Sequence, residues 1–370
     1  MRKKLWIVIA SAVVLILGVT VPYLLRCGEI SATANYQVLP PIRHGNLTIF
    51  PVVSGSSHDT REFLTLDEGL RSGEVVVTEA GSISPLVRPR HSHPQWEESR
   101  RSDGAEVNRL MLVNNSSRPL LLLAGEIVTG GKQDRIIGKD RLVPAESDPV
   151  DLSVFCVEPG RWVAASGKFN APAAIVQPSV RARAMAEKDQ GQVWSQVRNS
   201  QQAWAYGLSA PAKAEVEKTS SYARVMQNGE VQHKLDSVAT PVQQEYQSVI
   251  RQLRDKSAVG VVAAINGQII WADVFASANL LEKYWPKLVR SYAAEAMVQR
   301  AAVQGTESSA ADAKAAQGFL ARLQGRREVV ENEPGLYRHT EISGDGFRIF
   351  ELTSLLPGTG FDLHIAKMTE

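Results

Sequence analysis

The chain has 370 residues, of which 44% are hydrophobic and 22% charged, and its formal net charge is +2. This length suffices for one large or two medium domains, and the near-neutral balance excludes a general nucleic-acid-binding protein, which needs a strongly basic face. The two cysteines, Cys27 and Cys156, lie far apart in the sequence, so no disulfide framework is indicated.

An uncharged apolar segment, residues 5–25, follows an Arg-Lys-Lys run near the N-terminus. About 20 apolar residues span the hydrocarbon core of a bilayer. A cleaved signal peptide has a shorter apolar region of about 7–15 residues, so the pattern favours an uncleaved signal anchor with a cytoplasmic N-terminus and an extracytoplasmic remainder. Residues 1–34 are therefore assigned to the anchor and a linker. Cleavage after Ala34 is the alternative and would release a secreted or periplasmic protein.

Residues 45–170 are predicted to be rich in β-strands. Short apolar runs separated by polar turns favour an antiparallel, sandwich-like arrangement. Within this region Thr65 and Glu68 have capping-box spacing, which predicts a short helix that ends at Gly73. The predicted strands are 47–53, 74–78, 109–113, 119–124, 141–144 and 151–158.

Two segments lack any periodicity. Residues 35–47 contain paired prolines and are predicted to be a linker, and residues 88–106 are predicted to be an exposed loop. His91 and His93 in this loop have no third ligand at a suitable spacing and are flanked by arginines, so no metal site is predicted.

The stretch LLLLAGEIVTGGKQDR, residues 120–135, resembles a phosphate-binding loop without being one. Such a loop requires a lysine after its second glycine and then a serine or threonine that holds magnesium. Here Gly131 occupies the lysine position and no hydroxyl follows Lys132, so nucleotide hydrolysis by this loop is excluded. Glycines beside charges at a strand end predict either a solvated turn or a pocket for an anionic ligand. The candidate ligand-binding residues are Glu126, Lys132, Gln133 and Arg135.

A second polar strand end lies at residues 156–162. Glu158, Arg161 and Trp162 collect around a Pro-Gly turn and are candidate ligand-binding residues, or alternatively form an ion pair capped by a half-buried indole. Cys156 shares a strand face with Glu158, and a neighbouring carboxylate would raise the pKa of the thiol, so a buried structural cysteine is favoured over a nucleophile.

Residues 176–257 are rich in alanine, glutamine and charge and are predicted to be helical. Residues 258–370 are predicted to combine helices and strands. Two apolar runs around Asn266-Gly267 predict a β-hairpin over 258–276, and a helix is expected over 279–300, bent or interrupted at Pro286. Strand-like pieces follow at 327–330, 346–351 and 361–366.

Several aromatic residues of the C-terminal part are expected to pack in the core rather than to stack on a ligand. These residues are Trp271, Tyr284 and Trp285. Asp273 lies on an apolar strand, and its side chain could point to either face of the sheet.

Three segments together resemble a known family. They are GEIVTGGKQDR at 125–135, VFCVEPGRW at 154–162, and the hairpin with its helix at 261–292. They look like the family associated with ADP-ribosylglycohydrolase and the rhodanese-phosphatase superfamily, and the likeness extends over most of residues 45–366. Asp134 stands where that family's pattern leads us to expect asparagine, and the loop 88–106 is longer than the family needs. The resemblance implies a single family domain over 35–370 and a link to NAD or ADP-ribose metabolism through genomic neighbourhood, with no established reaction.

The sequence therefore predicts an α+β protein, anchored in the membrane through residues 5–25, that binds a small anionic ligand where the segments 125–135 and 156–162 meet. A hydrolase that uses Glu126 or Glu158 as general acid or base is one alternative. A protein-interaction module of the cell envelope, with an unknown partner, is the other. No cofactor is expected.

Overall fold

A computed structural model describes residues 36–80, 109–161, 166–302 and 310–370. The protein combines antiparallel sheets with helices, as predicted. Within these residues no helix is long and apolar enough to cross a bilayer. The predicted span at 5–25 and the predicted loop at 88–106 lie outside the described residues.

The strands come in two runs that flank a helical middle. In chain order they are β1 (Gln37–Val38), β2 (Ile42–His44), β3 (Leu47–Ser54), β4 (Leu64–Thr65), β5 (Val75–Glu79), β6 (Arg109–Asn114), β7 (Leu120–Leu122), β8 (Ile127–Gly130), β9 (Arg135–Ile137), β10 (Arg141–Val143), β11 (Val150–Cys156), β12 (Phe169–Asn170), β13 (Ser257–Ile265), β14 (Gln268–Phe275), β15 (Arg326–Glu333), β16 (Tyr337–Gly344), β17 (Phe347–Ser354) and β18 (Asp362–Thr369).

The helices occupy the middle of the chain and parts of both ends. They are α1 (Leu66–Ser72), α2 (Pro178–Ala182), α3 (Gln190–Ala205), α4 (Ala210–Lys218), α5 (Tyr222–Gln227), α6 (Gly229–Arg251), α7 (Ala278–Ala302) and α8 (Ala313–Ala321). A π-helical turn at Arg183–Glu187 directly follows α2. The helical prediction for the middle region is confirmed.

The largest sheet has nine strands and joins the two ends of the domain. Its order is β1-β3-β13-β14-β18-β17-β16-β15, with β2 paired to β3. Strand β3 pairs along its whole length with β13, although more than 200 residues separate them in the chain. The first long strand of the β-rich region thus belongs to the same sheet as the C-terminal strands.

Two further sheets are built from the N-terminal half. One has six strands in the order β12-β8-β9-β11-β6-β5, and the other has three in the order β10-β7-β4. A core cluster contains side chains from both of these sheets, including Leu64 and Leu120 of the three-stranded sheet and Val128 and Val154 of the six-stranded sheet. This cluster is separate from the main core, which lies between the nine-stranded sheet and the helices.

Local sequence signals account for several element boundaries. Thr65 and Glu68 form the predicted capping box and Gly73 ends α1 in the left-handed conformation. Asn266 and Gly267 have φ angles of 51° and 80°, as a tight primed turn requires, so the predicted hairpin is confirmed. Helix α6 buries one face through residues spaced three or four apart, namely Val231, Leu235, Ala239, Val242 and Tyr246.

Two expectations about local structure are wrong, the linker over 35–47 and the interruption of a helix at Pro286, and one strand was missed. Residues 35–47 include β1 and β2, because these strands pair with β3 and so satisfy their backbone groups. Helix α7 continues through Pro286 without interruption, since the ring is exposed while neighbouring side chains are buried on the opposite face. Strand β16 was not predicted, because Tyr337–Gly344 mixes apolar, charged and histidine residues.

Candidate functional site

A fully buried network of charged side chains surrounds Asp273 on β14. Arg181 of α2 donates to both oxygens of this carboxylate at 3.0 Å, and the hydroxyl of Tyr292 on α7 also donates to it. His364 of β18 lies between two carboxylates, with Nε2 at 3.1 Å from Asp273 and Nδ1 at 2.5 Å from Asp140. We call these five residues the Asp273 network.

The charges of the Asp273 network balance, which allows them to remain ionised without water. Burial alone would lower the pKa of His364, but the carboxylates of Asp140 and Asp273 raise it to about 9. Burial works against the charged form of Asp273, yet Arg181 and His364 hold the pKa of this carboxyl below its usual range. Two anions therefore face an imidazolium and a guanidinium at neutral pH.

The first glycine of the stretch 125–135 has a packing role in this network. Gly125 adopts a φ of 87°, and a β-carbon there would lie 2.6 Å from Cγ of Arg181. No side chain other than hydrogen fits without moving Arg181. The glycine that suggested a ligand-binding loop thus lets a buried arginine approach the backbone.

A second buried cluster lies on the same helix, α7. The ammonium group of Lys287 contacts Glu126 at 2.6 Å and also Asp67 of α1. Burial would lower the pKa of Lys287, but the two carboxylates raise it. Burial raises the pKa of Glu126, and the second carboxylate, Asp67, adds to this effect. Lys287 is therefore a cation whose charge is already neutralised. We call Lys287, Glu126 and Asp67 the Lys287 cluster.

The two predicted polar segments do meet in space, at the ends of β9 and β11. The side-chain amide of Gln133 donates to the backbone carbonyl of Glu158, and the guanidinium of Arg161 donates to the backbone carbonyl of Gly131 at 2.7 Å. Arg161 also pairs with the carboxylate of Glu158 at 2.6 Å, the alternative considered from the sequence. We call this contact between 130–135 and 156–161 the segment junction.

The segment junction supports helix α5. Asp134 accepts a hydrogen bond at 2.7 Å from Ser221, the residue that caps this helix, and the amide of Tyr222 donates to the carbonyl of Val157. The start of α5 is thus attached to both segments. Within the described part of the chain, Oε1 of the buried Gln133 accepts no hydrogen bond, which leaves that acceptor open.

Cys156 is buried at this junction. Its sulfur accepts a hydrogen bond from the amide of Glu158, and burial raises the pKa of the thiol. A raised pKa disfavours the thiolate, which is the nucleophilic form. These properties agree with the structural role that the sequence favoured.

A cavity of about 150 Å³ opens between helices α5, α6 and α7 and the segment before α2. Its wall combines apolar side chains with polar side chains, which come from α5, α6 and α7. The lining residues are Ile127, Pro172, Ala173, Ala174, Ile175, Tyr222, Ala223, Met226, Gln227, Gln232, Leu235, Lys287, Arg290, Ser291 and Ala294. Ala173 has a φ of 54°, an uncommon conformation for a residue other than glycine.

The cavity wall is attached to both buried clusters. Lys287 lines the cavity with part of its side chain while its ammonium group reaches Glu126. On the same face of α7, Ser291 donates to the carbonyl of Val176 and Glu295 accepts from the amide of Ser179, so the segment before α2 is held against α7. Arg181 follows two residues later and joins the Asp273 network.

The predicted site residues therefore fall into two groups. Gln133, Arg135, Glu158 and Arg161 lie at the segment junction, with Lys132 beside them, whereas Glu126 belongs to the Lys287 cluster. The backbone amide of Lys132 donates to Glu79, and its side chain is half-buried. Trp162 lies outside the described residues. Ligand binding by this set stays a prediction.

Sequence reasoning missed the residues that form the buried clusters and part of the cavity wall. They are Asp140, Arg181, Lys287, Arg290, Tyr292 and His364. A signal was present on α7, where Lys287, Ser291 and Glu295 recur every four residues on a face that is otherwise apolar. Polar residues in such a row are buried together and need partners. The aromatic residues Trp271, Tyr284 and Trp285 are buried, as predicted.

The fold and its cavity define a mixed α/β domain with two buried ion clusters. Residues 35–364 match the ARG and Rhodanese-Phosphatase-superfamily-associated Protein domain, ARPP-1. The chain belongs to this family, which confirms the resemblance found in the three sequence segments. Comparisons with curated proteins and with solved structures found no match.

The Asp273 network predicts that stability falls at alkaline pH. A pKa raised on folding contributes stability that is complete below the unfolded value, 6.5 for histidine, and is lost as the pH rises through the folded value of about 9. We expect the free energy of unfolding to fall by about 2–3 kcal/mol between pH 6 and pH 10 through His364. Urea unfolding across this range measures it.

His364→Gln is the control for this prediction. Other groups, including Lys367 with a pKa lowered by burial to about 8, titrate in both proteins, so the difference between the two pH profiles isolates His364. Parallel profiles for the wild type and His364→Gln would show that the imidazole is not charged in the folded protein.

Proposed function

We propose that this protein binds a small ligand in the cavity between α5, α6 and α7. The observation that carries the proposal is the cavity itself, about 150 Å³ with a wall that combines apolar side chains with polar groups of α5, α6 and α7. Ligand sites commonly combine these features. An apolar cavity of about this volume holds a benzene ring, so the ligand, or its buried part, has about six to eight non-hydrogen atoms.

The surroundings of the cavity support this proposal. Buried ion pairs on two sides fix the wall, and preformed walls reduce the ordering that binding requires. The proposal keeps the small ligand inferred from the sequence and changes its location. Residues of the segment junction support the cavity wall indirectly, since Asp134 and Val157 accept hydrogen bonds from the start of α5.

Filling the cavity should abolish binding. Ala294 is buried in the wall, and Ala294→Phe adds a ring to the space that the ligand would occupy. A screen of the full-length chain by thermal shift would use nucleotides, ADP-ribose, NAD, sugar phosphates, dicarboxylates and aromatic acids. A ligand at about a hundred times its dissociation constant adds about 2.7 kcal/mol of stability, and we expect Ala294→Phe to remove that gain.

The matched control is Ala315→Phe on α8, where the alanine is exposed and away from the cavity. This variant should respond to the ligand as the wild type does. The proposal fails if folded Ala294→Phe retains the response to every probe that stabilises the wild type, or if no probe in the screen stabilises the wild type.

A hydrolase is the second candidate, and the position of Glu126 favours it over Glu158. Burial raises the pKa of Glu126 toward the range that suits a general acid, and its partner Lys287 lines the cavity. Neither carboxylate is among the lining residues, but Glu126 is joined to the cavity wall through Lys287, whereas Glu158 is held by Arg161 and by the amide of Asp134.

This second candidate predicts turnover of a nucleotide sugar or similar compound that Glu126→Gln abolishes and Glu158→Gln retains. The variants are compared at equal folded fraction by circular dichroism. Equal turnover in the wild type and Glu126→Gln would end the hydrolase proposal.

We also propose that the three- and six-stranded sheets pack as a small sandwich around their shared core cluster.

We propose in addition that residues 5–25 anchor the domain at an extracytoplasmic membrane face. The uncharged length of 5–25 and its basic flank support the anchor. The anchor predicts that the chain stays in the membrane fraction after alkaline carbonate washing, whereas a chain starting at residue 35 is released. Release of the full-length chain by the wash, or a mature N-terminus at residue 35, would contradict the anchor.

A further inference from the structure

We propose that the cavity is specific for a small organic acid with a single negative charge, whose apolar body lies inside and whose carboxylate binds Arg290 at the boundary. This inference rests on the proposed function of the cavity and adds the class of ligand and the residue that selects it. Three observations carry it: the sign of the lining charges, the state of each cation, and the free amides beside Arg290.

The charged side chains that line the cavity are both cations. They are Lys287 and Arg290, and no carboxylate is among the lining residues. A low-dielectric wall with charges of one sign favours a ligand of the opposite sign. The lining therefore presents no carboxylate to a bound ligand, and a preference for an anion depends on whether either cation can leave its own partner.

The two cations differ in their freedom to bind a ligand. Lys287 is buried and its ammonium group is already held by Asp67 and Glu126, so a ligand would have to break two buried ion pairs to use it. Among the described residues Arg290 pairs only with Asp236 of α6, and their side chains are 41% and 50% exposed. An ion pair this exposed contributes little stability. A ligand anion can replace Asp236 at small cost.

Two amide side chains lie at the same boundary. Gln227 at the end of α5 and Gln232 on α6 line the cavity, and neither side chain forms a hydrogen bond within the described residues. Gln232 precedes Asp236 by four residues and thus lies on the same face of α6. Amide donors and a guanidinium together match the oxygens of a carboxylate.

The number of free cations decides between a carboxylate and a phosphate. A phosphate monoester carries a charge of about −1.5 to −2 at neutral pH. Of the two lining cations, only Arg290 can exchange its partner carboxylate for a ligand. Its single positive charge balances a carboxylate, whereas the second negative charge of a phosphate would stay uncompensated. The cavity volume of about 150 Å³ limits the buried part of the ligand to about one ring.

The test compares three probes of one shape on the purified full-length chain: benzoate, benzamide and phenyl phosphate. Dissociation constants come from ligand-observed NMR titrations. We expect benzoate to bind at least tenfold more tightly than benzamide or phenyl phosphate. Arg290→Gln should remove the preference for benzoate over benzamide, and Asp236→Asn should strengthen benzoate binding roughly two- to fivefold, because the competing carboxylate is gone.

The control for charge is Arg251→Gln, an exposed arginine at the end of α6 outside the cavity, which should leave all three constants unchanged. Ala294→Phe should abolish binding of every probe. If that variant does not fold, Met226→Trp at the half-buried edge of the cavity replaces it.

The outcomes separate this inference from the proposed function. Benzamide binding as tightly as benzoate, with both lost in Ala294→Phe, would overturn the specificity for acids and leave the cavity as a binding site. Tighter binding of phenyl phosphate would overturn the single charge. Benzoate binding that survives both cavity-filling variants would overturn both proposals. No benzoate binding up to its solubility limit would overturn the specificity for acids, and the proposed function would then be decided by the thermal-shift screen with Ala294→Phe.

Discussion

The carboxylate of Asp273 is the group on which the rest of the structure depends. It is fully buried, and an isolated buried charge would cost far more than the domain's net stability. The chain meets this requirement by bringing Arg181, Tyr292 and His364 to it from three distant elements. His364 in turn requires Asp140, so the turn between β9 and β10 is fixed as well. Removing Arg181 or His364 leaves a buried carboxylate uncompensated, and removing Tyr292 costs the carboxylate of Asp273 a hydrogen bond.

The cavity is a consequence of this arrangement. Arg181 fixes α2, and the segment before it is held to α7 by Ser291 and Glu295. The opposite wall is held by Lys287 with Glu126 and by the contact of Ser221 with Asp134. Apolar side chains between these anchors do not fill the space. Under the proposed ligand-binding function, this space between the ion-paired walls is where the ligand binds.

Local signals in the sequence predict the elements better than they predict the site. The capping box at Thr65, the turn at Asn266-Gly267 and the helical middle follow from interactions between neighbouring residues. The pairing of β3 with β13 joins residues about 200 positions apart, and no local pattern encodes it. Strand β16 lacks alternation because both faces of its sheet bury polar residues, including His339 and Thr340.

The stretch 125–135 shows why the site was harder to predict. Its glycines and charges suggested a ligand loop, but Gly125 makes room for Arg181, Glu126 pairs with Lys287, and Asp134 caps α5 through Ser221. Each partner lies 50 or more residues away in sequence, so a single sequence reveals the polar groups without their partners. The same limit hid Arg290 at the cavity, since an arginine on an amphipathic helix usually lies in solvent.

Amide hydrogen exchange in Arg181→Lys would show whether the Asp273 network holds the cavity wall. This variant keeps the charge and loses the paired hydrogen bonds to Asp273. The amides of Val176, Gln177 and Ile127 donate to Gly125, Tyr222 and Ala174, and so report on the wall. We predict that their exchange accelerates roughly tenfold or more relative to the wild type, while amides in the β16–β17 pair keep their protection. Unchanged exchange at these three amides, or equal acceleration across the whole domain, would contradict the claim.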